Sequence, residues 1–168
     1  KILKAKYKVG LNNYKPIDTN NLISDLNEVD DNVLKNQVVS NIITLLKNEE
    51  NFTPISNLNE NKIVHLQTGS ESGMTFNNYL NKYTTVDYIK LSDYKELNNL
   101  LDKLSNYNTV IIGHHQPSNT PWDNYNFTRK ELLWIDEISK SNNTILSVFA
   151  KPYSLERLID TGSFKSII

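Results

Sequence analysis

From Lys62 onward, β-rich apolar runs alternate with stretches of helical periodicity, and that alternation predicts a three-layer α/β sandwich. A second observation fixes the character of its sheet. Thr109-Val110-Ile111-Ile112-Gly113 is almost continuously apolar, as a parallel strand covered on both faces must be. A third is size: 168 residues suit one domain with a sizeable core. The expected sheet is mostly parallel and flavodoxin-like, in strand order 2-1-3-4-5, preceded by an N-terminal linker and helix.

The elements follow in chain order. Lys1–Lys8 carries Ile2, Leu3 and Tyr7 at helical spacing and reads as the end of a helix, with Gly10 where such a helix stops. Asn12 to Asn27 is polar, contains Pro16, and reads as a linker or wrapping loop. A helix is expected to start at Asp30 or Asp31 as N-cap, with Val33, Leu34, Val38, Ile42, Leu45 and Leu46 as its buried stripe. Strands are expected at 62–67, 85–91, 109–113 and 144–149, with a fifth beginning at Phe164. Helices are expected at 74–83, 94–104, 128–139 and 152–159. Leu97, Leu100, Leu101 and Leu104 share one face of the second of these. Domain boundaries on this reading are 1–29 for the linker and end of a preceding domain, and 30–168 for the α/β sandwich. The chain stops inside the apolar run Phe164–Ile168, so it is expected to be a fragment, and a missing final strand would expose a sheet edge after Ile168.

Composition narrows the function classes. With 18 basic and 19 acidic residues the net charge is −1, which supplies no electrostatic drive toward nucleic acid or an anionic membrane. No apolar run approaches the length of a membrane-spanning helix. Cysteine is absent, which excludes thiolate chemistry and a cysteine metal site. Asparagine is abundant and alanine confined to Ala5 and Ala150, a pattern that reads as genome composition rather than function.

Ligands of such a sheet gather at the carboxyl ends of the strands flanking its switch point. Those ends carry Thr68-Gly69-Ser70-Glu71-Ser72-Gly73 and Gly113-His114-His115-Gln116-Pro117-Ser118. The first opens a helix and offers backbone N–H groups to an anion, yet it matches neither the Walker pattern nor the full dinucleotide fingerprint. His114 and His115 are adjacent and point to opposite sides of an extended strand, so they do not ligate one metal together. His65 reads as a packed or half-exposed sheet residue. No G-x-S-x-G elbow is present for a serine nucleophile. The loop from His114 to Asn126 sets Trp122 and Tyr125 beside Asn119 and Asp123. Aromatic rings beside amides and carboxylates suit the C–H faces and hydroxyls of a sugar, and equally a contact with a neighbouring domain. His114, His115, Asn119, Trp122 and Asp123 are therefore the candidate substrate-binding residues. No catalytic residue, metal or cofactor is expected in this chain.

Asn41-Ile42-Ile43-Thr44-Leu45-Leu46-Lys47-Asn48-Glu49-Glu50-Asn51-Phe52-Thr53-Pro54-Ile55 resembles the approach to the C-terminal α/β-sandwich domain of glycoside hydrolase family 3. There a helix ending in Leu-Leu-Lys-Asn leads through an acidic or glycine turn to a Leu-Pro-Leu-like exit. Ile2–Leu11 resembles the end of the catalytic barrel and its linker. Asn108–Gly113 and Val148-Phe149-Ala150-Lys151-Pro152-Tyr153 are similar to later strands of that domain. The resemblance implies part of a retaining, exo-acting enzyme for β-linked glucose-type or N-acetylglucosamine-type sugars, periplasmic or extracellular, with the N-terminal barrel of the same polypeptide as partner. The family's nucleophilic Asp stands on that barrel, so this chain alone is expected to be inactive. β-Glucosidase-like members supply an acid/base Glu after the second strand of this domain. Tyr88-Ile89-Lys90-Leu91-Ser92-Asp93 holds none, which favours the β-N-acetylhexosaminidase-like branch, whose His-Asp pair sits on the barrel. Glu71 is a stray candidate for the crevice. The competing expectation is a free-standing flavodoxin-like module binding a phosphate-bearing ligand at Thr68–Gly73.

Overall fold

The computed structural model describes residues 1–16, 18–116 and 127–168. The chain forms two compact units, Lys1–Ile43 and Thr44–Ile168.

The described residues of the first unit form α1 (Ile2–Lys8), α2 (Leu22–Asp25) and α3 (Val29–Ile42). Gly10 follows α1 in the left-handed region at φ 78°, the conformation that ends a helix. The N-cap of α3 is Glu28 rather than Asp30 or Asp31, and its N–H donates to Asp31 Oδ2 at 2.9 Å. An acidic side chain three residues into the helix closes this cap as Glu or Gln does in a capping box. α3 stops at Ile42, short of the expected Leu46. The expected buried stripe is not buried either: Val33, Leu34, Val38, Ile42, Leu45 and Leu46 are all exposed.

In the second unit, Lys47–Asn48 is not a helix end but a short strand, β1. It precedes β2 (Ile63–Thr68), α4 (Met74–Leu80), β3 (Val86–Lys90), α5 (Leu97–Leu104), β4 (Thr109–His115), α6 (Arg129–Ser141), β5 (Thr144–Phe149) and β6 (Ser166–Ile167). The sheet runs β1-β6-β5-β4-β2-β3. Its parallel part is the mostly parallel sheet the sequence predicts. The full order differs from the expected one by β1, which pairs antiparallel with β6, Lys47 opposite Ile167 and Asn48 opposite Ser166. β6 is thus flanked by β5 on one side and β1 on the other.

Side chains alternate across the strands, so each face has its own core. Val64, Leu66, Val110, Ile112 and Leu146 pack on one face with Leu100 and Leu104 of α5 and Ile135 and Ile138 of α6. Ile63, Val86, Ile111 and Ile145 pack on the other with Phe76 and Leu80 of α4 and with Phe52, Ile55 and Leu58. β4 is buried along its whole length, as its apolar run requires. Burying one such aliphatic side chain contributes about 1.5–3 kcal/mol. The central strands thus anchor the two ends at which the candidate residues stand.

Candidate functional site

β2 passes to β3 through α4 on one face, and β3 passes to β4 through α5 on the opposite face. The crossovers change face between β2 and β4, which makes the carboxyl ends of these two strands the switch point of the sheet. Thr68 pairs with His114 in register there.

The turn after β2 folds tightly onto the end of β4. Gly69 has φ +83°, and a Cβ at that position would stand 2.2 Å from the His115 carbonyl oxygen, so only glycine fits. Most N–H groups of the turn are already engaged. Gly69 donates to Glu131 Oε1 at 2.8 Å, Ser70 to Gln116 Oε1 at 2.9 Å, and Glu71 to the His115 carbonyl at 3.1 Å. Gly73 donates to Gln67 Oε1 at 3.0 Å and Met74 to Ser72 Oγ at 3.3 Å. An incoming phosphate would have to displace these acceptors and would meet the Glu131 carboxylate. The geometry therefore does not favour the phosphate-binding expectation for Thr68–Gly73.

His114 and His115 face opposite sides of the sheet. His114 lies flat on Phe127, ring centroids 3.8 Å apart, with Nδ1 3.0 Å from Thr68 Oγ1. It is fully enclosed, and burial pushes its pKa down to about 4 against the opposing pull of the Glu131 charge. As placed, it joins the end of β2 to Phe127, just ahead of α6. His115 stacks on Phe149 at 4.4 Å and stands 5.7 Å from His65, centroid to centroid. His65 is fully buried rather than half-exposed, and burial followed by the neighbouring His115 charge lowers its pKa to about 4. Burial also lowers the pKa of His115. Asn119, Trp122 and Asp123 lie outside the described residues. Glu71 is exposed in the turn, tied to the end of β4 through its N–H.

Two glycines belonging to this site were not among the expected residues. A Cβ on Gly113 would lie 2.5 Å from His65 Nε2 and 2.6 Å from His115 Nε2, and one on Gly73 would lie 2.8 Å from His65 Cε1 and 2.9 Å from His115 Nε2. The available signal was period-two spacing: Gly113 and His115 share a face of β4. Among the described residues no group of three or more His, Cys, Asp or Glu converges on a metal position.

These features define a mostly parallel α/β-sandwich domain with its switch point between β2 and β4. Solved structures contain the same fold as part of larger sugar-acting enzymes. Beta-glucoside phosphorylase BglX matches 99% of this chain over 31% of its own, with a TM-score of 0.63 and 15% identity. A fungal multi-domain GH3 beta-N-acetylglucosaminidase with a GCN5-related glucosamine N-acetyltransferase region matches 74% of this chain over 14% of its own, with a TM-score of 0.56 and 19% identity. No protein-family model matches the chain, and no curated sequence does.

Proposed function

We propose that this chain serves as an accessory α/β domain of a retaining, exo-acting glycoside hydrolase of the β-N-acetylhexosaminidase-like kind. It would pack against an N-terminal catalytic barrel of the same polypeptide. The observation that carries the reading is the likeness of nearly the whole chain to just 31% of a beta-glucoside phosphorylase. Support comes from the resemblance of Asn41–Ile55 to the approach into the family 3 C-terminal domain. The missing Glu in Tyr88–Asp93 favours the hexosaminidase-like branch.

On this reading the loop that follows His115 frames the sugar pocket. His114 and His115 precede it at the end of β4, and Asn119, Trp122 and Asp123 contact the sugar. The catalytic nucleophile belongs to the barrel. Retaining hydrolysis needs two groups about 5 Å apart across the scissile bond, so the domain contributes shape and contacts rather than the reaction itself.

The test compares the purified chain with the longer polypeptide carrying the barrel, using an aryl β-N-acetylglucosaminide as substrate. Turnover is expected only from the longer polypeptide. Turnover by the isolated chain that disappears in Glu71→Gln would refute the accessory role. An aryl β-glucoside cleaved in preference would reassign the branch.

A further inference from the structure

The inner side of α4 covers an arrangement that the proposed sugar contacts do not use. His65 on β2 and His115 on β4 share one face of the sheet, their rings 5.7 Å apart and inclined at 68°. Both Nε2 atoms and His65 Nδ1 are buried without a hydrogen bond of normal geometry, as is Oδ1 of Asn77, whose side chain stands close enough to His65 to raise its pKa against the effect of burial. Only 0% of His65 and 8% of His115 is exposed, so bulk water does not make up the deficit. Leaving such a nitrogen unpaired costs about 1–3 kcal/mol, which calls for an explanation.

Glycine accounts for how the rings meet. The position a Gly113 Cβ would occupy is 2.5 and 2.6 Å from the two Nε2 atoms, which places those nitrogens no more than about 5.1 Å apart. A Gly73 side chain would intrude on the same rings from the opposite side, at 2.8 and 2.9 Å. An ion held by two imidazoles at about 2 Å each needs nitrogens up to about 4 Å apart, within reach of small ring rotations.

We propose that His65 Nε2 and His115 Nε2 form a two-coordinate site for a soft monovalent d10 cation, Cu(I) being the one of biological chemistry. The choice of ion follows from what surrounds the pair. Among the described residues no third His, Cys, Asp or Glu joins it, so tetrahedral Zn(II) lacks ligands. Two neutral donors provide no negative charge to offset a dication in a desolvated site, whereas a single positive charge costs far less to bury. Cu(I) accepts two nitrogen ligands in a linear or bent arrangement. Phe76, 5.1 Å from His65 and 6.0 Å from His115, and Phe149, stacked on His115, enclose the two rings in apolar surface. No bond is broken and no electron transferred on binding.

The composition makes the test unusually clean. The chain has no cysteine, three histidines and one methionine, so few groups compete for a soft ion. Ag(I), and Cu(I) held reduced without oxygen, would be titrated into the 15N-labelled chain while the imidazole nitrogens are followed by NMR. One equivalent is expected to shift the Nε2 resonances of His65 and His115. His114, on the other face, should not move and acts as internal control. In competition with a chromophoric Cu(I) chelator, His115→Gln is expected to weaken binding at least tenfold, and Met74→Leu, which removes the single thioether, is expected to leave it intact. Absence of a shift in the wild-type rings at one equivalent overturns the proposal, as does a shift of His114 alone. Binding that survives His115→Gln, or is lost in Met74→Leu, overturns it equally. The wild-type NMR readout stands even if a variant fails to fold.

Discussion

At the scale of single residues, burial of His65 and His114 makes the protein's stability depend on pH. Both pKa values fall to about 4 in the folded chain, whereas an unfolded histidine titrates near 6.5. The unfolded chain therefore takes up the protons first. Stability from this source is complete above about pH 6.5, declines as pH falls, and levels off below about 4, for a loss of up to about 3 kcal/mol per ring. Urea midpoints should drop steadily between pH 7 and pH 4. A constant midpoint across that range would show that the folded chain accommodates the charged rings. The opposed orientation of His114 and His115 was legible from the two-residue period of a strand. The meeting of His65 with His115 was not, because it depends on the register between β2 and β4 and on the space left by Gly73 and Gly113.

Among the elements, α6 carries a cap that serves two purposes. Thr128 Oγ1 accepts from the Glu131 N–H at 3.1 Å, and Glu131 Oε2 accepts from the Thr128 N–H at 2.8 Å. The other carboxylate oxygen, Oε1, accepts from Gly69 in the turn beyond β2. Thr128→Ala removes the cap alone, at a cost of about 1 kcal/mol. Glu131→Ala also leaves the Gly69 N–H without its acceptor, adding about 1–3 kcal/mol. Equilibrium denaturation should rank Glu131→Ala as clearly the more damaging. Helix and strand positions in the second unit were largely readable, since long apolar periods report burial directly. β1 was not readable. Two residues carry no period, and Leu45-Leu46 just before them continues the helical spacing by coincidence. Only Ser166 and Ile167, more than a hundred positions away, decide that Lys47 and Asn48 are a strand.

For the molecule as a whole, both apolar cores lie in Thr44–Ile168, and every described residue of Lys1–Ile43 is exposed. The 44–168 segment should therefore fold by itself, with a melting midpoint within about 4 °C of the full chain, the displacement expected of a ~1 kcal/mol change. A molten or aggregated 44–168 would mean that the first unit is needed to complete the second. The sheet's parallel connectivity was legible because β and α elements alternate. Its antiparallel edge was not, since it joins the two ends of the folding unit. That junction has a topological consequence. The Leu46 N–H donates to the Ile167 carbonyl at 2.9 Å, so the residues that enter the second unit flank β6 directly. Removing Lys47 and Asn48 would bare that flank of β6 as an unpaired row of backbone groups, open to pairing with another chain.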